Sequence, residues 1–198
     1  NRRHEYFFIT CTDCGPRYTT IKDTPYDRSN TTMQKFPMCR HCHEEYIEPM
    51  DRRFHAQTIA CAQCGPKVYL TDNDGGPVRS EDPIRDASRL LDEGYILAIK
   101  GNGGFHIASA TTRDDPIVRL RRTKHRAQKP FAIMARDLET IKSFACVNAE
   151  EAALLESYVK PIVLLRKRQD FRLSDLIAPG LFNVGVMLPY TGLHFMLF

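Results

Sequence analysis

Long apolar runs are missing from this chain. No stretch of about 18 uninterrupted apolar residues occurs, so no segment reads as a membrane span. A dominant charge is missing too: the net charge is +4, and outside one cluster the lysines and arginines are dispersed. Composition alone therefore makes no case for nucleic acid. No signal-peptide pattern opens the sequence. Apolar periodicity is scarce over residues 1–70, which are rich instead in Cys, Arg, Tyr and turn residues. A segment with so little to bury needs metal to fold. The remainder is ordinary: 198 residues, 42% hydrophobic and 26% charged, enough for one globular domain plus something small.

What is there in quantity is paired cysteine. Six of the seven cysteines fall in CxxC pairs: Cys11/Cys14, Cys39/Cys42 and Cys61/Cys64. Between Cys42 and Cys61 lies a stretch of the length, about 15–20 residues, that four-thiolate zinc sites place between their pairs. A CxxC on a tight turn aims both sulfurs at one ion, and two such turns complete the tetrahedron that Zn²⁺ takes in structural sites. The pairing reads as reduced, metal-binding and cytosolic, so a cytoplasmic setting is expected. His41, His43 and His55 are expected at the surface, since four cysteines already satisfy the ion. Cys146, outside any pair, is expected to be a buried core thiol.

The cysteines also sit in a repeat. Asn1-Arg-Arg…Cys11-Thr-Asp-Cys14-Gly-Pro recurs fifty positions on as Asp51-Arg-Arg…Cys61-Ala-Gln-Cys64-Gly-Pro. Such self-similarity is one folding unit used twice. The partners of Cys11 and Cys14 would precede residue 1, so these two are expected to be half a site, with no zinc or a defective one. The sequence reads as a fragment. The expected division is a zinc-finger region over 1–70, with the second half of one finger at 1–20 and a complete finger at 36–70. A turn-rich linker follows at 71–80, then a second domain over 81–198.

In the second domain helices and strands take turns. Asp82-Pro83 opens a helix whose Ile84, Ala87 and Leu91 share a face and which Gly94 ends. Strands are expected at 96–99, 131–134, 162–165 and 184–188. Helices are expected from 117 to about 126, from 138 to 144 under an Asp137 cap, and from 149 to 157 under Asn148. Residues 193–198 begin a helix or a strand. The fold class is α/β (α+β): a small four-cysteine zinc-finger module followed by a mixed sheet with packed helices, cut at both ends.

Two constellations bear on chemistry. Lys100-Gly-Asn-Gly-Gly-Phe-His106 follows a buried strand. Its glycines let backbone approach a ligand, and a lysine with exposed amides suits an anion; the plain alternative is a tight turn. It lacks the spacing of a Walker loop or a dinucleotide fingerprint. Arg119-Leu-Arg-Arg-Thr-Lys124-His-Arg126-Ala-Gln-Lys129-Pro-Phe131 piles cations onto a helix end that leads into a strand. That is either a solvated helix face or a place for polyphosphate, whose departing charge such cations would stabilise.

Together these motifs, with Gly185-Val-Met-Leu-Pro-Tyr-Thr and Leu193-His194, resemble hydrogenase maturation carbamoyltransferases of the HypF type: their zinc-finger region and the YrdC-like domain that follows it. The resemblance implies a twisted mixed sheet and an ATP-dependent carbamoyl activation. Carbamate, released from carbamoyl phosphate by another domain, condenses with ATP to carbamoyl-adenylate and pyrophosphate. The carbamoyl group then passes to the C-terminal cysteine of a partner protein, for the cyanide ligand of a [NiFe] hydrogenase. By position, Lys100, Gly103, Gly104 and Phe105 would line the carbamate and nucleotide pocket, and Lys124, Arg126 and Lys129 would hold the phosphates, with Mg²⁺. No protein nucleophile is required. Asn102 and Gly192 depart from the expected pattern. A Ser-x-Asn element that completes such nucleotide sites is not reached, so the segment by itself is expected to be inactive. Two rival readings stand: a YrdC-type threonylcarbamoyl-adenylate synthase of tRNA modification, and a zinc-dependent nucleic-acid-binding module. Against the latter, residues 43–60 offer no helix of the kind that reads bases.

Overall fold

A computed structural model describes residues 2–198, which divide into two compact units. One holds the chain up to Ile84 with Lys100–Phe105 and Thr191–Met196; the other holds Arg85–Ile99, His106–Tyr190 and Leu197–Phe198. Among the described residues no helix is long and apolar enough to cross a membrane.

The first unit is mostly loops, short 3-10 turns and two small apolar clusters. One gathers Tyr6, Phe8, Met33 and Ala60; the other packs Cys42, Ala56, Ile59 and Cys61. Two 3-10 turns, Arg28–Asn30 and Thr32–Lys35, connect the two halves of the unit. Its longest α-helix is α1 (Arg40–Ile47); a five-residue helix at Gly192–Met196 also belongs to this unit. Helix α1 starts inside the Cys39/Cys42 pair and runs on past residue 43 to Ile47. Strands β1 (Leu70–Thr71) and β2 (Pro77–Val78) pair antiparallel. The turn between them closes on Asp72, whose carboxylate accepts from the amides of Asp74 at 3.0 Å and Gly76 at 2.7 Å.

Helix α2 (Pro83–Asp92) buries Ile84 and Ala87, and Gly94 (φ +90°) closes it. The amides of Gly94 and Tyr95 return to the carbonyls of Leu91 and Leu90, the paired bonds of a left-handed helix end. Strands β3 (Leu97–Lys100) and β4 (Phe105–Ala108) make a two-stranded sheet. After α3 (Asp114–Thr123) come β5 (Ala132–Met134), α4 (Leu138–Lys142), β6 (Ala145–Cys146), α5 (Ala149–Glu156), β7 (Val163–Lys167), β8 (Asn183–Met187) and α6 (Gly192–Met196). The main sheet runs β5-β8-β7-β6; β5 and β8 are parallel and the other pairs antiparallel, so the sheet is mixed as expected. Its core side presents Ile133, Leu165, Val184 and Val186 to Ile141, Leu155 and Ile177. The expected caps are in place: Asp137 accepts from Thr140 N, and Asn148 with Glu151 forms a capping box.

Two expectations in this unit are overturned. Helix α3 begins at Asp114 and stops at Thr123, short of Arg126. His125 takes φ +51°, its amide bonds to Arg122 O and that of Arg126 to Arg121 O. A histidine performs the turn usually given to glycine. Cys146 is exposed, not buried. Strand β6 turns Ala145 inward, and the two-residue period of a strand then turns Cys146 outward. Cys146 is therefore expected to react with iodoacetamide in the native protein about as fast as an accessible model thiol. Protection until unfolding would contradict the placement.

Candidate metal centre and anion site

Cys39 caps α1, Cys42 lies in its first turn, and Cys61 and Cys64 sit on a knuckle in which Cys64 and Gly65 amides return to Cys61 O. The tight knuckle explains Cys-Gly-Pro. A side chain on Gly65 would collide with the Tyr6 hydroxyl and with Ala60. The four sulfurs converge, all within 4.8 Å of one another. Sγ separations are 3.7 Å for Cys39–Cys61, 3.7 Å for Cys61–Cys64 and 3.6 Å for Cys42–Cys64. A disulfide needs about 2.05 Å. A tetrahedral ion with Zn–S of about 2.3 Å holds its sulfurs about 3.8 Å apart. The donor set fits zinc.

The electrostatics point the same way. Burial opposes ionisation of Cys61, but amides of Cys64 and Gln63 turned toward its sulfur bring the thiol down to about 6. Cys42 is fully buried, and burial pushes its thiol up to about 12 despite the Arg2 guanidinium. A divalent ion adds the positive charge that ionising all four thiols together requires, beyond what the Arg2 and Arg3 guanidiniums at Cys42 provide. His41, His43 and His55 are exposed and outside the group, as expected.

Arginines tie the two repeats together crosswise. Arg3, only 3% exposed, donates from Nε to Ala60 O at 2.7 Å and from Nη2 to Cys42 Sγ at 3.3 Å, and pairs with Glu45 at 2.5 Å. The matching Arg53 donates to Thr10 O at 3.2 Å, and Arg52 reaches Cys11 Sγ at 3.6 Å. The doubled Arg-Arg was visible in the repeat, but its role as a strut was not. Arg3→Ala strips the Ala60 carbonyl and Glu45 of a charged partner, and an expected loss of about 1.5–3 kcal/mol follows. Thermal unfolding of the finger, followed by zinc release, measures it.

Cys11 and Cys14 lie 3.2 Å apart at their sulfurs. Burial raises Cys11, yet bonds from Cys14 and Arg52 and the local amides bring it to about 7. Among the described residues no third ligand joins this pair.

The glycine loop turns with Gly101 N bonded to Gly104 O at 2.8 Å. Lys100 Nζ lies over the Phe105 ring, 5.4 Å from its centre, and Phe105 is 69% exposed. Gly103 is exposed and Gly104 half-buried, near enough to solvent for a ligand to approach. These residues belong to the first unit, and Lys124, Arg126 and Lys129 to the second. Lys124 and Lys129 are exposed, while half-buried Arg126 lies over Phe131 at 5.3 Å. The sequence reading missed Arg121. Within a run that looked like a solvated face, it is 8% exposed and bonded to the carbonyls of Leu176 and Arg126, each at 2.7 Å.

Known proteins carry the same two parts. The HypF finger model matches residues 1–21 and 38–71, and the Sua5/YciO/YrdC model, described as telomere recombination, matches 89–198. The carbamoyltransferase HypF of Rhodobacter capsulatus is 46% identical over 99% of this chain. The crystal structure of T. kodakarensis HypF superposes with a TM-score of 0.95 at 52% identity over 100% of the chain. A full-length HypF solved in a phosphate- and nucleotide-bound form gives 0.90 at 47%, again over 100% of the chain. The chain spans 26% of the length of each of these relatives. The chain belongs to the Sua5/YciO/YrdC family, in the HypF-type form that places HypF fingers ahead of that domain.

Proposed function

We propose that this chain is the zinc-finger and adenylate-forming portion of an ATP-dependent carbamoyltransferase. Cys39, Cys42, Cys61 and Cys64 hold a structural zinc, with Cys11 and Cys14 contributing half of a second site. Lys124, Arg126 and Lys129 grip the triphosphate of ATP, and Lys100, Gly103, Gly104 and Phe105 line the carbamate and nucleotide pocket. The observation that carries the reading is the exposed cationic turn after α3, leading directly into a sheet strand, where ligands of such sheets bind. That a related full-length protein was solved with phosphate and nucleotide supports it.

Carbamate, supplied from carbamoyl phosphate, attacks the α-phosphorus through oxygen; the bond to the bridging oxygen breaks and pyrophosphate leaves. Mg²⁺, when bound, neutralises phosphate charge. The cationic turn binds the β- and γ-phosphates and stabilises the charge that accumulates on the leaving group. No side chain forms a covalent intermediate, which matches the lack of any need for an activated Ser or Cys. The carbamoyl group then passes to a cysteine of a hydrogenase maturation partner, in a cytoplasmic setting that suits reduced CxxC thiols. Product analysis tests the reaction: with ATP, Mg²⁺ and carbamoyl phosphate the complete protein should release pyrophosphate, with AMP following as water hydrolyses the carbamoyl-adenylate in the absence of the acceptor cysteine. ADP with phosphate as the nucleotide products, or turnover indifferent to carbamoyl phosphate, would refute it.

A further inference from the structure

We propose that Arg121 is a positioning residue that turns the main chain of residues 126–129 so that the amides of Ala127 and Gln128 join the cationic side chains in binding polyphosphate. The inference rests on the reading of that turn as the triphosphate site. Guanidinium carries five donors in a planar fork. In Arg121 they reach Leu176 O at 2.7 Å and Ile177 O at 3.4 Å on one side, and Arg126 O at 2.7 Å, Ala127 O at 3.2 Å and Lys129 O at 3.2 Å on the other. The Phe131 ring lies against the guanidinium, 4.7 Å from Cζ to ring centre. Arg121 thus lashes the turn to the loop at Leu176 and Ile177.

The consequence comes from peptide planarity. In a trans peptide the C=O and the N–H of the next residue point in opposite directions. The carbonyls of Arg126 and Ala127 converge on Arg121, so the amides of Ala127 and Gln128 point away from it. Among the described residues neither amide has a hydrogen-bond partner in the protein, and both residues are exposed. Successive outward amides beside Lys124, Arg126 and Lys129 form a concavity for anionic oxygens, with inward carbonyls removed from the phosphate's path. Without Arg121 those carbonyls lose their charged partner and are free to face solvent, where they would repel phosphate.

The wild-type complete protein gives the first test. The Ala127 and Gln128 amides should exchange hydrogen rapidly and slow by about 10-fold or more when ATP saturates the site, as amides newly bonded to a ligand do. Unchanged exchange at both amides under saturating ATP would overturn the proposal whatever the mutants do. The second test measures ATP and adenosine affinities for Arg121→Met, Arg121→Lys and Arg126→Ala. Misplacing the turn should weaken ATP by about 100-fold in Arg121→Met, in proportion to what a displacement of about 1 Å does in a preorganised site. Adenosine, which has no phosphate, should be held as before, and Arg121→Lys should recover part of the loss. Equal weakening of ATP and adenosine would assign Arg121 a merely structural role. In an Arg126→Ala background, Arg121→Met should add much less than it does alone, because the two act through one turn. If Arg126→Ala leaves ATP affinity intact, the triphosphate reading itself falls. If Arg126→Ala weakens ATP and Arg121→Met does not, only the role of Arg121 falls.

Discussion

Replacing Cys61 with serine should abolish stoichiometric zinc and unfold the first unit. The magnitude follows from how little else holds that unit together. Its apolar clusters are small, its helices α1 and α6 have eight and five residues, and the rest is short turns and the two-residue strands β1 and β2. Isolated helices that short are marginal in water. Structural zinc contributes an apparent ~10–16 kcal/mol, more than a module of this size obtains from its core. Wild-type protein should contain one tightly held zinc on the four-cysteine group. Cys61→Ser, or treatment with a strong chelator, should expose Arg2 to Lys67 to proteases and free the remaining thiols to alkylation. The second unit, whose core of Ile133, Leu155, Leu165 and Val186 contains no metal ligand, should keep its protection. A fully folded, protease-resistant first unit without metal would contradict this account. Because thiolates must replace thiols before the ion binds, zinc should be lost as pH falls. Buried Cys42, with its thiol pushed up to about 12, makes that loss start early.

The second large effect is at Arg126. Its half-buried guanidinium lies over Phe131, placed by the Arg121-locked turn. In the complete protein, Arg126→Ala should remove a charge-assisted contact to the departing phosphates. That contact is worth about 2–4 kcal/mol in the transition state, or roughly 30- to 1000-fold in rate. Zinc content should not change, because no residue of the four-cysteine group lies in that unit. Release of phosphate from carbamoyl phosphate should also survive, since that step uses no ATP. If the turn were only a solvated surface, the change would stay within about ±0.5 kcal/mol and the rate would stand.

The parts of this structure legible in the sequence are those governed by local rules. Metal geometry fixes the spacing within and between CxxC pairs, so Cys39, Cys42, Cys61 and Cys64 could be grouped before any fold was known. Asp137 and Asn148 cap their helices because capping involves residues only three apart. Strands β3, β5, β7 and β8 were found where apolar runs are continuous, within a residue or two at each end, whereas β1, β2 and β4 were not. What escaped depends on distant partners or on weak local signals. Strand β6 has two residues, too few for alternation to show, and so the usual burial of free cysteines misled at Cys146. Helix α1 carries a polar face and starts at a metal ligand, so apolar periodicity did not announce it. The end of α3 depends on His125 adopting a left-handed conformation, which nothing in a histidine signals. Neither Arg121 nor Arg3 stands out in the sequence from the arginines around it. Only the fold reveals the carbonyls and carboxylate that surround them.

The claim on which the rest depends is that the domain joins carbamate, and not another acid, to the adenylyl group of ATP. Exchange of labelled pyrophosphate into ATP measures that step without requiring a partner protein. The complete, zinc-loaded protein should catalyse exchange when carbamoyl phosphate is present and show only background with threonine and bicarbonate. Exchange that requires threonine, or that proceeds equally without carbamoyl phosphate, would contradict the account.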